Sequence, residues 1–141
     1  MPQLKQNADA SAGIQGSDLD NGAIIFVNIP YTASSIDGVA FVAPRRCIVQ
    51  SIVGRPEVAG TDGSAVTAVI KKAASGTANA SGTALHSSTF NLKGTAATNQ
   101  TLTLSTTASD LDIAAGTAIG IDFTGTLTGA SGVVTVALTP A

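Results

Sequence analysis

Short runs of β-branched residues constrain this chain more than any other feature of its sequence. From Gly22 onward, runs rich in Val, Ile and Thr alternate with Gly, Pro, Asn and Asp. Runs of this kind, bounded by turn-forming residues, are typical of β-strands. No window keeps the 3.6-residue apolar period of a helix, and Gly116 cuts short the best helical candidate, residues 108–115. About eight such runs predict an all-β fold.

Alternation of apolar and polar residues indicates which side chains face the core. In a strand, every second residue points to the same side of the sheet. The residues predicted to share a buried face are Val66, Ala68, Ile70, Leu102, Leu104, Ile119, Ile121, Phe123, Val134, Val136 and Leu138. The four phenylalanines also fall inside apolar runs, so we expect them in the core. Cys47 lies within a predicted strand and is expected to be a small buried residue.

Several short strands without helices are typical of a sandwich or a barrel. About eight strands favour a jelly-roll-like β-sandwich. An immunoglobulin-like sandwich is the alternative, although a chain with one Cys and no Trp lacks the Cys…Trp…Cys spacing of that fold. The length of 141 residues fits one domain, which we place at residues 22–141.

Residues 1–21 differ from the rest, because they are polar and show no apolar period. They predict either a frayed terminus or an extended N-terminal arm that becomes ordered on a partner. The segment has no apolar stretch resembling a signal peptide. The chain also lacks a run of about 20 apolar residues, so we expect no membrane span.

Composition argues against several classes of protein. Charged residues make up 11% of the chain and the formal net charge is −2, so a nucleic-acid partner is not expected. A single Cys cannot form an internal disulfide. The main concentration of positive charge is Arg45, Arg46 and Arg55 around one predicted strand. These arginines either solvate the strand ends or contact an acidic protein surface.

No motif for catalysis, metal binding or cofactor binding is found in the sequence. His86 is the single histidine, and its Ser/Thr-rich surroundings predict a surface residue rather than a catalytic base. The segment beginning at Asp18 lacks the Gly and Glu positions of a calcium loop. Asp110 and Asp112 are predicted to be turn residues. We therefore expect no enzyme activity, no metal, no cofactor and no small-molecule substrate.

Three segments carry a resemblance to a known family. They are PEVAGTDGSAVT at residues 56–67, the pair Lys71 and Lys72, and LDIAAGTAIGIDFTGTLT at residues 111–128. With these segments, residues 43–141 resemble the head decoration, or cement, proteins of tailed bacteriophages. The resemblance implies a β-rich, commonly trimeric protein that binds outside the capsid shell where major capsid subunits meet.

The expected function is therefore that of a structural virion protein, made in the host cytoplasm and bound to the outer capsid surface. It would stabilise the shell by bridging major capsid subunits, as a homotrimer. The residues expected to contact the capsid lie in the arm and around the third predicted strand: Gln3, Leu4, Lys5, Gln6, Arg45, Arg46 and Arg55.

The alternative function is a phage fibre or tail module that binds a receptor or a glycan. Such a module needs exposed aromatic or acidic residues in a concave site. The candidates that the sequence offers are Tyr31, Asp62, Asp110 and Asp112.

Overall fold

The computed structural model describes residues 24–141. They contain ten strands, which form two antiparallel sheets, and one short helix. The strands are β1 (Ile25–Tyr31), β2 (Gly38–Val42), β3 (Cys47–Val58), β4 (Thr67–Ala73), β5 (Thr83–Ala84), β6 (Phe90–Asn91), β7 (Gln100–Thr101), β8 (Asp112–Ile113), β9 (Ala118–Thr124) and β10 (Ser131–Pro140). The helix is α1 (Ala108–Leu111), between β7 and β8, and a 3₁₀ turn, Asn79–Ser81, lies between β4 and β5. The predicted arm at residues 1–21, which includes Gln3, Leu4, Lys5 and Gln6, lies outside the described residues.

The first sheet has the order β1-β10-β3, and β7 and β8 pair with successive parts of the far edge of β3. β10 lies between β1 and β3, so residues distant in sequence are direct neighbours. Ile25 is opposite Leu138, and Val136 is opposite both Val27 and Ile52. Pro30 lies in β1 at the edge of this sheet, where a residue without an N–H group can be accommodated.

The second sheet has the order β2-β9-β4, with β5 and β6 pairing along the far edge of β4. All its pairings are antiparallel, and β4 lies opposite β9 over the whole length of β4. Among residues 24–141, β2 is the free edge of this sheet, as β1 is of the first. The two sheets thus form the predicted all-β sandwich.

Inward-facing side chains of both sheets form one core. The alternation predicted from the sequence is confirmed in β4 and β10: Val66, Ala68 and Ile70 are buried, as are Val134, Val136 and Leu138. Three aromatic rings meet between the sheets. The ring of Tyr31 packs edge-on against Phe90 and Phe123, with centroids 5.8 and 6.2 Å away. Cys47 is buried, as predicted.

Backbone hydrogen bonds close one side of the sandwich. Between β5 and β6 the chain leaves the second sheet and pairs with residues 103–105, next to the first sheet. The amide of Ser87 donates to Thr103 O at 2.8 Å, and the amide of Ser105 donates to Leu85 O at 2.9 Å. We call residues 85–88 and 102–105 the seam. The opposite side, between the free edges of β1 and β2, has no equivalent ladder in the described residues.

Two sequence predictions need correction. Phe26 was expected in the core but is 63% exposed, because Val27, Ile29 and Tyr31 take the inward positions of β1. The helix is also shorter than the candidate at 108–115, since residues 112 and 113 pair with β3 as a strand.

Candidate interaction surface

The outer face of the first sheet is a regular surface formed by three adjacent strands. It is formed by the residues of β1, β10 and β3 that alternate with buried neighbours. These residues are Phe26, Asn28, Pro30, Val133, Thr135, Ala137, Thr139, Ile48, Ser51, Val53 and the predicted capsid-contact residue Arg55, and we call them the outer face. Phe26 lies opposite Ala137, which lies opposite Ser51. An exposed aromatic ring beside small side chains is suited to contact with another protein.

Few charges lie along this face. The three strands β1, β3 and β10 contain only two charged residues, Arg55 and Glu57. These two side chains pair with each other at 3.3 Å, and both are largely exposed. Charged groups are costly to desolvate at the centre of an interface, so a face with so few of them can be covered at low electrostatic cost.

The second sheet differs, because its outer side is partly covered by the chain itself. The 3₁₀ turn Asn79–Ser81 packs across it, with Asn79 Nδ2 donating to Ile121 O at 2.8 Å. Lys71 Nζ pairs with Asp122 at 2.5 Å and also donates to Ala80 O at 2.7 Å. These contacts attach the loop to the sheet, so the two outer surfaces of the sandwich are not equivalent.

The three arginines predicted to contact a capsid do not form one cluster. Arg45 and Arg46 precede β3, whereas Arg55 lies near its other end. At ~3.3 Å per residue, Arg46 and Arg55 are about 30 Å apart along the strand. Arg46 forms a bidentate pair with Asp112, with both N–O distances at 2.8 Å. Hydrogen bonds from this guanidinium hold the pKa of Asp112 below its usual value.

The open side carries a second group of exposed apolar residues. Ile36 in the β1–β2 loop is 84% exposed, and Val39 and Val42 of β2 are about half exposed. A shallow groove of about 350 Å³ lies between β1 and β2, with Ile36, Val39 and Phe123 in its lining. The open side therefore combines two strand edges that no other described residue pairs with, and apolar side chains, which is a combination that invites pairing with another chain.

The residues proposed for glycan binding do not converge on a concave site. Tyr31 is 2% exposed and belongs to the core. Asp112 is paired with Arg46, and Asp110 accepts a hydrogen bond from Ser105 Oγ at 2.6 Å. Asp62 is in a different loop and accepts from the amide of Ser64. The prediction that Asp110 and Asp112 are turn residues is wrong, because Asp110 lies in α1 and Asp112 begins β8, where it pairs with β3.

His86 is buried, which corrects its prediction as a surface residue. Its Nε2 accepts a hydrogen bond from the amide of Ile70 at 2.9 Å, and its Nδ1 contacts the carbonyl oxygen of Ser88. Both ring nitrogens are therefore occupied by backbone groups. The thiol of Cys47 donates to Arg45 O at 3.4 Å, and burial raises its pKa. His86 is therefore not placed to act as a general base, and the buried Cys47 thiol is not placed to act as a nucleophile.

No cluster of three or more His, Cys, Asp or Glu side chains suited to a metal occurs within residues 24–141. Within the same residues, no helix has the length and apolar character needed to cross a membrane. Comparison of the chain with protein-family models, with curated proteins and with solved structures gave no match. The surfaces described above are therefore the basis for a functional proposal.

Phe26 is the exposed aromatic residue whose position sequence reasoning missed. It belongs to an uninterrupted apolar run, residues 23–27, in which every position looks suitable for a core. The alternation becomes visible only from Asn28 and Pro30 onward, which share the outward side with Phe26. Extending that period back by two residues would have placed Phe26 outside.

Proposed function

We propose that the chain is a structural virion protein of a tailed bacteriophage, which binds the outer surface of the assembled capsid and stabilises it by bridging major capsid subunits. The proposal rests on the resemblance of residues 43–141 to head decoration proteins. It also rests on the outer face, whose exposed aromatic ring and few charges suit it to contact with another protein rather than to catalysis.

The observation that carries the proposal is the exposure of Phe26 on a sheet face with few charges. Phe26 leaves most of its ring in water, at a cost that burial against a partner would recover. Burying apolar surface contributes about 25 cal/mol per Å². Exposed aromatic residues with few charges around them are typical of interface cores. We assign the outer face as the capsid-binding surface.

The strand order supports a jelly-roll form of the sandwich. If β5 and β6 are counted as one strand, and β7 and β8 as another, the chain has eight strands. Numbered one to eight along the chain, so that β9 is the seventh and β10 the eighth, these strands have the order 1-8-3-6 in the first sheet and 2-7-4-5 in the second. This is the arrangement produced when a long antiparallel ribbon winds around a barrel. An immunoglobulin-like sandwich, with strands ABED against CFG, would not place the first and last strands side by side.

The two free edges support the trimer included in the proposal. β1 and β2 both end their sheets on the open side of the sandwich. Unpaired edges promote aggregation unless they are protected, and pairing between copies in a closed symmetric oligomer protects them. The mass of the protein in solution, measured by light scattering, tests this part: a stable monomer at all concentrations would contradict it.

The receptor- or glycan-binding alternative has less support. Its candidate residues are dispersed, and its aromatic candidate, Tyr31, is buried between the sheets. A glycan array tests this alternative directly, and specific binding to one glycan class would favour it over the capsid proposal.

Binding to assembled heads is the decisive experiment. Purified protein is mixed with expanded phage heads that lack it, and binding is measured by co-sedimentation and by imaging of the heads. We expect saturable binding, and greater resistance of the decorated heads to heat. Absence of binding to expanded heads would overturn the proposal.

A pair of variants tests whether the outer face makes the contact. Phe26→Asp places a charge on the outer face, whereas Ser75→Asp places the same charge on an exposed residue of the loop after β4, outside both the outer face and the open side. We expect Phe26→Asp to weaken head binding at least tenfold, which corresponds to about 1.4 kcal/mol. Ser75→Asp serves as the matched control. Equal binding by both variants and the wild type would reject the outer face.

Residues 1–21 have a separate part in the proposal. Their deletion should leave the circular dichroism spectrum of the sandwich intact and weaken head binding. Unchanged affinity would remove the arm from the binding surface.

A further inference from the structure

His86 occupies a position in the second sheet that a backbone acceptor would normally fill. Ile70 O in β4 accepts a hydrogen bond from the amide of Leu85 at 2.9 Å. In a regular antiparallel pair the amide of Ile70 would donate in return to Leu85 O. That oxygen instead accepts the amide of Ser105 in the seam, so the amide of Ile70 has no backbone acceptor in the neighbouring strand. The imidazole takes the place of that acceptor, with its Nε2 2.9 Å from the Ile70 nitrogen. Meanwhile the backbone of His86 is bridged to Leu104 across the seam.

The hydrogen-bond partners define one tautomer of the ring. The amide of Ile70 can only donate, so Nε2 must be without a proton. The carbonyl oxygen of Ser88 can only accept, so Nδ1 must carry the proton. The folded seam therefore contains the neutral Nδ1–H form, and neither nitrogen can change its role without losing a partner.

A second proton on the ring, at Nε2, would place two hydrogen-bond donors opposite each other. Protonated Nε2 would face the N–H of Ile70, and the buried imidazolium would lack a compensating charge. The charged groups on the surrounding elements are engaged elsewhere. Lys71 is paired with Asp122, and Lys72 Nζ donates to the carbonyls of Ser109 and Asp112. Asp110 accepts from Ser105 Oγ of the seam, and no carboxylate raises the pKa of His86.

We propose that His86 is a pH-sensitive latch, which holds the seam to β4 when neutral and releases it when protonated. The feature extends beyond the proposed capsid function and does not depend on it. Burial is the main cause that lowers the pKa of His86 below its usual 6.5. The open or unfolded chain therefore binds this proton more readily than the folded chain. The stability contributed by the latch is present above pH 6.5 and is lost as the pH falls through the lowered pKa.

Nuclear magnetic resonance can observe this latch without ambiguity, because the chain has one histidine. We expect the imidazole ¹⁵N shifts at neutral pH to report the Nδ1–H tautomer, and the titration midpoint to lie below 6.5. The amide of Ile70 should lose protection from hydrogen exchange as the pH falls between 6.5 and that midpoint. With one proton linked to opening, its opening constant should rise by up to about tenfold per pH unit, after correction for intrinsic exchange.

The amide of Val136, in the centre of the first sheet, is the internal control, and its opening constant should change much less. A midpoint at or above 6.5, or the Nε2–H tautomer, would overturn the proposal. An equal rise in opening at Ile70 and Val136 would also overturn it, because it would indicate global unfolding rather than release of the seam. His86→Gln, which cannot titrate, should abolish the pH dependence at Ile70. If that variant does not fold, the wild-type measurements decide alone.

Discussion

The ring of Phe90 lies against the α-carbon of Gly54, in the space that a β-carbon at position 54 would occupy. Gly54 is on the inward side of β3, opposite Val134, and Phe90 is fully buried in β6. The two residues belong to different sheets. The missing side chain at Gly54 is therefore what allows Phe90 to reach across the core and meet Tyr31.

The variant Gly54→Ala should destabilise the protein by steric overlap with Phe90. Inserting a methyl group into a well-packed core typically costs about 1–3 kcal/mol. Urea unfolding, followed by circular dichroism, measures the change. Gly63→Ala is the matched control, since a β-carbon there has no neighbour within 4 Å, and its effect should be close to zero. Equal stability of the two variants would show that Phe90 can move aside without cost.

Ile52→Ala tests the centre of the core. Ile52 is fully buried and lies opposite Val136 in the first sheet. Removing most of a buried isoleucine side chain should lower the free energy of unfolding by about 2–5 kcal/mol. Ile36→Ala, which shortens an exposed isoleucine, should change it by less than about 0.5 kcal/mol. A small effect of Ile52→Ala would contradict the packing of the first sheet.

Tyr31 can be titrated alone, because it is the one tyrosine of a chain without tryptophan. Burial raises the pKa of Tyr31 from 10.0 to about 12. Phenolate absorbance of the folded protein should therefore rise only near pH 12. Since the unfolded chain loses this proton first, stability is complete below pH 10 and is lost as the pH rises through the folded value.

Tyr31→Phe provides the control for this titration. The Tyr31 hydroxyl has no hydrogen-bond partner in the described residues, so its removal should cost little stability at neutral pH. The variant should lose less stability than the wild type between pH 10 and pH 12. An absorbance midpoint at 10 in the wild type would contradict the buried position of the ring.

The Arg46–Asp112 pair should respond to acid and to salt. Because Arg46 lowers the pKa of Asp112, the pair contributes stability above the ordinary pKa of 3.8 and loses it as the pH falls through the folded value. Both side chains are solvent-exposed, so the contribution should be small and should decrease in high salt. A double-mutant cycle with Arg46→Gln and Asp112→Asn at pH 7 and pH 2 measures it. A coupling energy that stays constant over this range would contradict the pairing.

Period-two alternation allowed much of the sandwich to be predicted. The buried faces of β4 and β10 agree with prediction. In β9, Ile119 and Ile121 are buried as predicted, but Gly120 is buried as well, against Asn79, and Phe123 is only partly buried. Residues 88–94 and 100–106 also have the β-branched and apolar composition of strands, but only Phe90–Asn91 and Gln100–Thr101 pair as strands within them. Residues 88 and 102–105 belong instead to the seam, and the chain turns after Asn91. The seam depends on contacts between the sheets, which sequence patterns do not contain.

The errors at single residues have the same origin. His86 was placed at the surface because its sequence neighbours are Ser and Thr, whereas its buried position depends on the distant amide of Ile70. The three arginines were grouped because they flank one strand, and the extended length of β3 separates them. Sequence patterns indicate the sidedness of a strand well, but not which distant backbone group will need a partner.

The central position of β10 in the first sheet also affects how the chain reaches its folded state. During synthesis β1 and β3 leave the ribosome well before the strand that joins them, and neither can complete its hydrogen bonds until β10 arrives. Folds dominated by such distant pairings have high contact order and fold in milliseconds to seconds rather than microseconds. We therefore expect this domain to fold after translation of β10, with the β10-facing edge of β1 and its inward residues Val27 and Ile29 accessible to chaperones until then.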